Sequence, residues 1–269
     1  MNLNDNNSCL LITASVIPCV TNKITVADPQ IRFNQYAQSL IYALRNYPVK
    51  SIVFCENSGF DITPFNDLVN NNNPHKINVE FMMQDKYDSC TNRDLHFREM
   101  LMISNAFQQS KTLNSATHII KLTGRHYSPS IPYLVNYLYK NNDIDILCDM
   151  VVGLSFANAR CFVGTPSFFN DYLISFLDII DGSKGIWFEH AIARAVNKAI
   201  GDGLIWSLPP QPIVIVGQSA VSGKIYNNNI LNQLRNQIYH KMKWITYGCG
   251  RRKYWTEKLG GPIWTRHQE

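Results

Sequence analysis

Near the middle of the chain, one apolar run ends in a glycine and cations: His118-Ile119-Ile120-Lys121-Leu122-Thr123-Gly124-Arg125-His126. The pattern predicts a strand that stops on a Thr-Gly turn and presents Lys121, Arg125 and His126 at its end. In α/β proteins, ligands bind outside the carboxyl ends of the strands. Cations at that position suit an anion such as a diphosphate, which Arg can grip with two parallel hydrogen bonds. A nucleotide-linked substrate is therefore the first expectation.

Carboxylates supply the second candidate set. Trp187-Phe188-Glu189-His190 opens an Ala-rich helix. A Glu in the first turn is favoured by the helix dipole alone. Beside aromatic walls it is also a candidate general base, with His190 as a substitute. Asp143-Ile144-Asp145 is formally an Asp-x-Asp, a pair that can hold a divalent ion between diphosphate oxygens. It begins a strand rather than ending one, so a solvated turn competes with metal binding there. Asp149 is a further metal candidate on the same strand. After the last strand, Gly217 to Lys224 fails the P-loop spacing, with five residues rather than four before Gly223-Lys224 and Ile225 in place of Ser or Thr. A Gly/Ser loop ending in Lys224 can still fold over a diphosphate through its backbone N–H groups.

The elements that must position these residues alternate. Leu10 to Ile17 reads as a strand. Asp28-Pro29 opens a helix with Asp28 as N-cap. Ser51 to Cys55 and Ile77 to Met83 are strands, Asp94 to Gln108 is a helix, and His118 to Leu122 is the fourth strand. The alternation predicts a parallel layer. Beyond it come a helix from Tyr133 to Lys140, strands at Ile144–Val152 and Ala159–Val163, helices at Pro166–Ile180 and Glu189–Ile200, and a last strand at Pro212–Val216. No Gly-x-Gly-x-x-Gly follows the first strand, which weakens a dinucleotide oxidoreductase, and no Gly-x-Ser-x-Gly elbow marks an α/β-hydrolase.

Composition bounds the class. In 269 residues, 45% are hydrophobic, enough for a real core. No apolar stretch reads as a membrane span or a signal peptide, so a cytoplasmic protein is expected. Seven scattered cysteines form no CxxC pair and fit a reducing compartment. The net charge of +5 is concentrated: from Arg235 onward eight Lys/Arg face only Glu257 and Glu269. That basic tail is interleaved with Tyr and Trp. It fits an anionic membrane surface, a solvated helix packed on the domain or, least well given the near-neutral remainder, nucleic acid.

Several motifs in order carry a resemblance: Leu11-Ile12-Thr13, Asp28…Arg32…Tyr36, Phe54-Cys55-Glu56-Asn57-Ser58-Gly59, Ile120 to Arg125, Cys161-Phe162-Val163-Gly164-Thr165…Phe168-Phe169, and Glu189 on a late helix. Together they resemble bacterial GT-A-type glycosyltransferases of surface-polysaccharide biosynthesis (O-antigen and capsule), over roughly residues 8–226. The resemblance implies a Rossmann-type α/β/α sandwich with a mostly parallel central sheet. Residues 1–130 would form the nucleotide-sugar-binding half and 131–234 the acceptor half of one domain, with 235–269 a basic helical tail. It implies transfer of a sugar from a nucleotide sugar to a glycan, often lipid-linked. Thr13, Asp28 and Arg32 would lie at the nucleotide edge, and Glu56 and Asn57 would meet base or ribose. Lys121, Arg125 and Lys224 would hold the diphosphate, with Arg125 also catalytic; Glu189 would serve as base if the transfer inverts the anomeric centre, and would orient the acceptor or stabilise the oxocarbenium-like state if it retains configuration. Many such enzymes carry Asp-x-Asp at the end of the fourth strand; Lys-Leu-Thr-Gly-Arg stands there instead. A divalent cation, Mn or Mg, therefore stays open as a cofactor, with Asp143, Asp145 and Asp149 as its alternative ligands. The tail would bring the protein to the inner face of the cytoplasmic membrane. A non-catalytic nucleotide-sugar-binding or assembly subunit of a glycan-synthesis complex is the alternative.

Overall fold

A computed structural model describes residues 7–18, 24–84, 95–151, 153–226 and 230–247. In chain order the strands are β1 (Ser8–Ala14), β2 (Ser51–Glu56), β3 (Asn78–Met83), β4 (His118–Thr123), β5 (His126–Tyr127), β6 (Ile146–Leu147), β7 (Cys161–Gly164), β8 (Trp206–Ser207), β9 (Val216–Gln218) and β10 (Ile225–Tyr226). The helices are α1 (Pro29–Asn46), α2 (Thr63–Asn72), α3 (Leu95–Gln109), α4 (Lys111–Ser115), α5 (Ile131–Lys140), α6 (Phe188–Gly201) and α7 (Ile230–Thr246).

Seven strands form the main sheet in the order β3-β2-β1-β4-β7-β6-β8, and β10-β9-β5 form a small second sheet. Strands β1 to β4 pair in parallel. The near-continuous apolar sequences of β1, β2 and β4 reflect burial on both faces, while β3 is a half-exposed edge strand. Along β1, Cys9 and Leu11 pack with α3, α4 and α6, while Leu10 and Ile12 pack with α1, α2 and α5. The result is the expected mostly parallel α/β/α arrangement. Each fully buried Leu, Ile or Phe in these layers contributes about 1.5–3 kcal/mol. Helix α1 starts where the sequence indicates: the Asp28 carboxylate accepts from Gln30 N and Ile31 N, with Pro29 at the first helical position.

The second half departs from the alternating reading. Strand β7 runs antiparallel to both β4 and β6. The strand expected at Ile144–Val152 shortens to Ile146–Leu147, because the chain then leaves the sheet for a bridge between Met150 and Ala157. The helix expected at Pro166–Ile180 is a π-helical stretch, Phe168–Leu173, followed by a 3₁₀ turn, Ile174–Phe176. Phe168 and Phe169 are fully buried against the sheet there, and this aromatic packing accompanies the wider turn. Of the last expected strand, Pro212–Val216, only Val216 lies in a strand, as the first residue of β9 in the small sheet. Val214 N instead donates to Ser130 Oγ at 3.0 Å. Cys9, Cys55, Cys148 and Cys161 are free and buried, and burial raises their thiols, that of Cys9 to about 11. Cys19, Cys90 and Cys249 lie outside the described residues.

Candidate active site

The chain steps from β1 outward to β2 and β3, then returns to β4 on the other side of β1. That reversal opens a crevice beyond the carboxyl ends of β1 and β4, where Thr13 and Thr123 are register partners. Gly124 makes the turn there. Its N–H donates to Thr13 O at 3.0 Å, and a Cβ would fall 2.6 Å from Ile12 Cγ2 and 2.8 Å from Thr13 O. The next residue, Arg125, is thereby aimed over the crevice, with Nη1 donating to Gln218 O at 2.8 Å. Gly217, at φ +140°, lets β9 approach so closely that a Cβ would lie 2.6 Å from Arg125 O.

The crevice is a cavity of about 190 Å³. Thr13, Arg32, Asn57 and Arg125 line it, as the sequence reading expected, together with His96, Arg98 and Glu99 from α3. Three arginines, Arg32, Arg98 and Arg125, therefore line one space. Arg32 is anchored by Nε and Nη2 to Ser15 O and by Nη1 to Val26 O. Burial, with the nearby Arg125 charge adding, holds its guanidinium below the ordinary value. The Gly/Ser loop after β9 roofs the cavity through Ala220 and Val221, and Ala220 O accepts from Thr25 N and Val26 N. Lys224 turns away and lines a second cavity.

Three expected residues serve the floor and frame. Lys121 is completely buried. Its ammonium donates to Glu99 Oε1 at 2.6 Å, Ala159 O at 2.7 Å and Thr123 Oγ1 at 3.0 Å. Three acceptors saturate three N–H donors, so no proton points to a ligand. Burial opposes ionisation of Glu99, but the Lys121 ammonium and hydrogen bonds from Lys121 and Thr13 outweigh it and hold the carboxyl low. The buried Glu56 carboxylate accepts from Val16 N, Ser58 N, Ser58 Oγ and Phe60 N. It shapes the turn that presents Asn57 and Ser58 to the cavity. Asp28 caps α1 and does not line the cavity. His126 is buried beside the site; burial, then the charges of Arg125 and Arg160, push its imidazole down to about 3, so it is neutral.

The second cavity, of about 630 Å³, is lined by Asp149, Asn158, Arg160, Glu189, Lys224 and α7 among others. Its volume falls within the roughly 300–1,000 Å³ of ligand pockets. Glu189 stands in the first turn of α6, with Oε2 shielded from solvent and accepting no hydrogen bond among the described residues. His96 Nδ1 lies 3.5 Å from that oxygen. His96 lines the first cavity and Glu189 the second, so this pair lies where the two cavities adjoin. The Trp187 ring stacks over His96 at 6.2 Å. His190 is engaged in capping, its Nδ1 accepting from Trp187 N.

The alternative metal ligands do not assemble. Asp145 Oδ2 accepts from Ile205 N at 2.8 Å, and the Asp149 carboxylate is paired with the Lys243 ammonium. Asp143 lines neither cavity. No group of three or more His, Cys, Asp or Glu side chains suited to a metal ion occurs among the described residues. Among the described residues, Asp143, Asp145 and Asp149 do not converge on one site for a divalent ion.

Sequence reasoning missed His96, Arg98, Glu99 and Arg160. A signal existed for the first three: charged and polar side chains crowd the first five residues of α3, the helix that follows β3, at the end facing the strand carboxyl ends in this architecture.

No protein-family model and no curated protein matches the sequence. Solved structures with partial likeness include the mannosyltransferase PcManGT from Pyrobaculum calidifontis in complex with GDP-Man and Mn²⁺ (10% identity, TM-score 0.48, covering 89% of this chain and 64% of that one). Others are a cytidylyltransferase from Leptospira borgpetersenii (14%, TM-score 0.44, 79% and 82%) and mouse xyloside xylosyltransferase 1 (8%, TM-score 0.43, 75% and 84%).

Proposed function

We propose that the protein is a glycosyltransferase that binds a nucleotide sugar in the β1/β4 crevice and transfers its sugar to a glycan hydroxyl in the second cavity. The observation that carries this reading is the convergence of Arg32, Arg98 and Arg125 on a crevice at the strand ends. Fixed cations there offset charge on a leaving diphosphate without reorganisation. The role first expected of Lys121 passes to Arg98: Lys121 holds Glu99, Thr13 and Thr123 in place beneath the donor. Asn57 and Ser58 border the base and ribose side. In the transfer, the bond from the anomeric carbon to the diphosphate oxygen breaks and its electron pair leaves with the nucleoside diphosphate. The acceptor oxygen bonds to that carbon and passes its proton to Glu189. The three arginines take the place of a divalent ion.

The finer reading is a lipid-linked acceptor of bacterial surface-polysaccharide synthesis, used by a cytoplasmic enzyme held at the inner membrane face. The basic chain end and the size of the second cavity support it. A thermal-shift screen across UDP-, GDP-, CMP- and dTDP-sugars tests the core claim. One nucleotide class should stabilise the protein, and Arg98→Ala should remove most of that shift. The absence of a shift with every donor overturns it, and donor binding without transfer to any glycan acceptor would favour a non-catalytic subunit.

A further inference from the structure

Helix α7 is amphipathic in an inverted sense. The side turned to the domain is polar: His240 bonds Pro209 O at 2.7 Å, and buried Lys243 meets the Asp149 carboxylate and Met150 O. Just past the helix, Tyr247 Oη donates to Val151 O at 2.6 Å. The outward side is apolar. Leu234, Ile238, Met242 and Ile245 are 52%, 64%, 61% and 60% exposed. Their spacing of four, four and three residues puts them on one stripe. A contiguous apolar face left in water marks an interaction surface.

Charge selects the occupant. Helix α7 contains no Asp or Glu. At 3.6 residues per turn, exposed Lys241 borders one edge of the stripe and exposed Arg235 the other. The Lys243 charge is already matched by Asp149, so the two flanking cations lack any counter-charge on their own helix. A second copy of the chain docking through this face would bring these cations against their equals. An anionic bilayer offers both requirements at once: an acyl boundary for the four apolar side chains and phosphate charges for Lys241 and Arg235.

We infer that the outward face of α7 lies in the plane of an anionic lipid bilayer. This deepens the peripheral-membrane part of the proposed function by assigning it to one helix face. The same helix, through Arg235, Asn236, Gln237, Tyr239, His240 and Lys243, walls the second cavity, so Arg235 stands between that cavity and the outward stripe. Docking would set that cavity about one helix diameter, roughly 10 Å, above the membrane plane, within reach of the head group of a membrane-bound acceptor.

Flotation with vesicles of phosphatidylcholine, with and without phosphatidylglycerol, tests the assignment on the full chain. Wild type should bind only the vesicles containing phosphatidylglycerol. Ile238→Ser/Met242→Ser should lower binding at least about tenfold, and Lys241→Glu should lower it about fivefold or more, with a shallower dependence on salt than wild type because one charge contact is gone. None of these residues lines either cavity, so the nucleotide thermal shift should be unchanged. Vesicle binding is read without any transferase assay, so failure of the catalytic reading leaves this arm intact. Equal binding by the variants, or equal binding to neutral vesicles, overturns the inference. So does a dimer in sedimentation velocity that the double variant dissolves.

Discussion

In the proposed reaction, Arg125 and Glu189 separate binding from chemistry at the level of single side chains. Arg125→Ala removes one cation from the crevice and leaves Gly124 and the turn intact. A charge-assisted contact of this kind is worth about 1.5–3 kcal/mol, so nucleoside-diphosphate affinity should fall about 10- to 100-fold by calorimetry. Unchanged affinity would remove Arg125 from the donor site. Glu189→Gln keeps the shape of the α6 start and removes the proton acceptor. Turnover should fall by about 10²–10⁴ with donor KM nearly constant. A near-normal kcat would assign acceptor deprotonation elsewhere. At this scale the sequence was partly legible: Arg125 was expected from its strand-end position and residue type, Thr13, Arg32 and Asn57 from the resemblance, and all four line the crevice. Arg98 was not, because a charged residue on a helix reads as a solvated face until the neighbouring strand ends are known.

The β4 strand and its partner α3 meet through the Lys121–Glu99 pair, and this sets a prediction for the elements. Glu99→Gln would leave the buried Lys121 ammonium without its counter-charge, at about 3–5 kcal/mol, read from the urea midpoint. The pair also gives pH dependence. The Glu99 carboxyl is held low in the fold, so its contribution is complete above the unfolded value of about 4.3 and is lost as pH falls through the folded value. His126 on β5 acts over a higher range. Its imidazole sits at about 3 in the fold, while the unfolded chain takes up a proton near 6.5. Stability should therefore decline as pH falls below about 6.5, by up to about 1.4 kcal/mol per pH unit. His126→Asn should flatten the decline between pH 6 and 5, as roughly placed by the unfolded value; a parallel decline would reject the assignment. These effects were hidden from the sequence, since Lys121 looks like a ligand-facing cation until its strand is found buried on both faces.

For the molecule as a whole, the sheet divides the work. Its parallel half carries the arginine crevice, and its antiparallel half, with α6 and α7, carries the larger cavity. EDTA should leave transfer unchanged, because no cluster of metal-ligating side chains faces either cavity among the described residues. Loss of activity restored by Mn²⁺ would overturn charge stabilisation by arginine alone. Truncation before Ile230 should leave the nucleotide thermal shift in place and raise the acceptor KM, since α7 walls the second cavity only.

Strand positions, the cap at Asp28 and the glycine turn before Arg125 follow from local pattern, because alternation, capping chemistry and close approach leave marks in neighbouring residues. The direction of β7, the short β6 and the π-helical Phe168–Leu173 do not, since hydrophobic pattern encodes burial and not strand polarity. The same limit applies to function. Residue types raised the expectation of an anion site at the end of β4. Only the packing of α3 against that end decided which cations line the crevice and which, like Lys121, are consumed in holding the floor, because that depends on Glu99 and Ala159, 22 and 38 residues away in the chain.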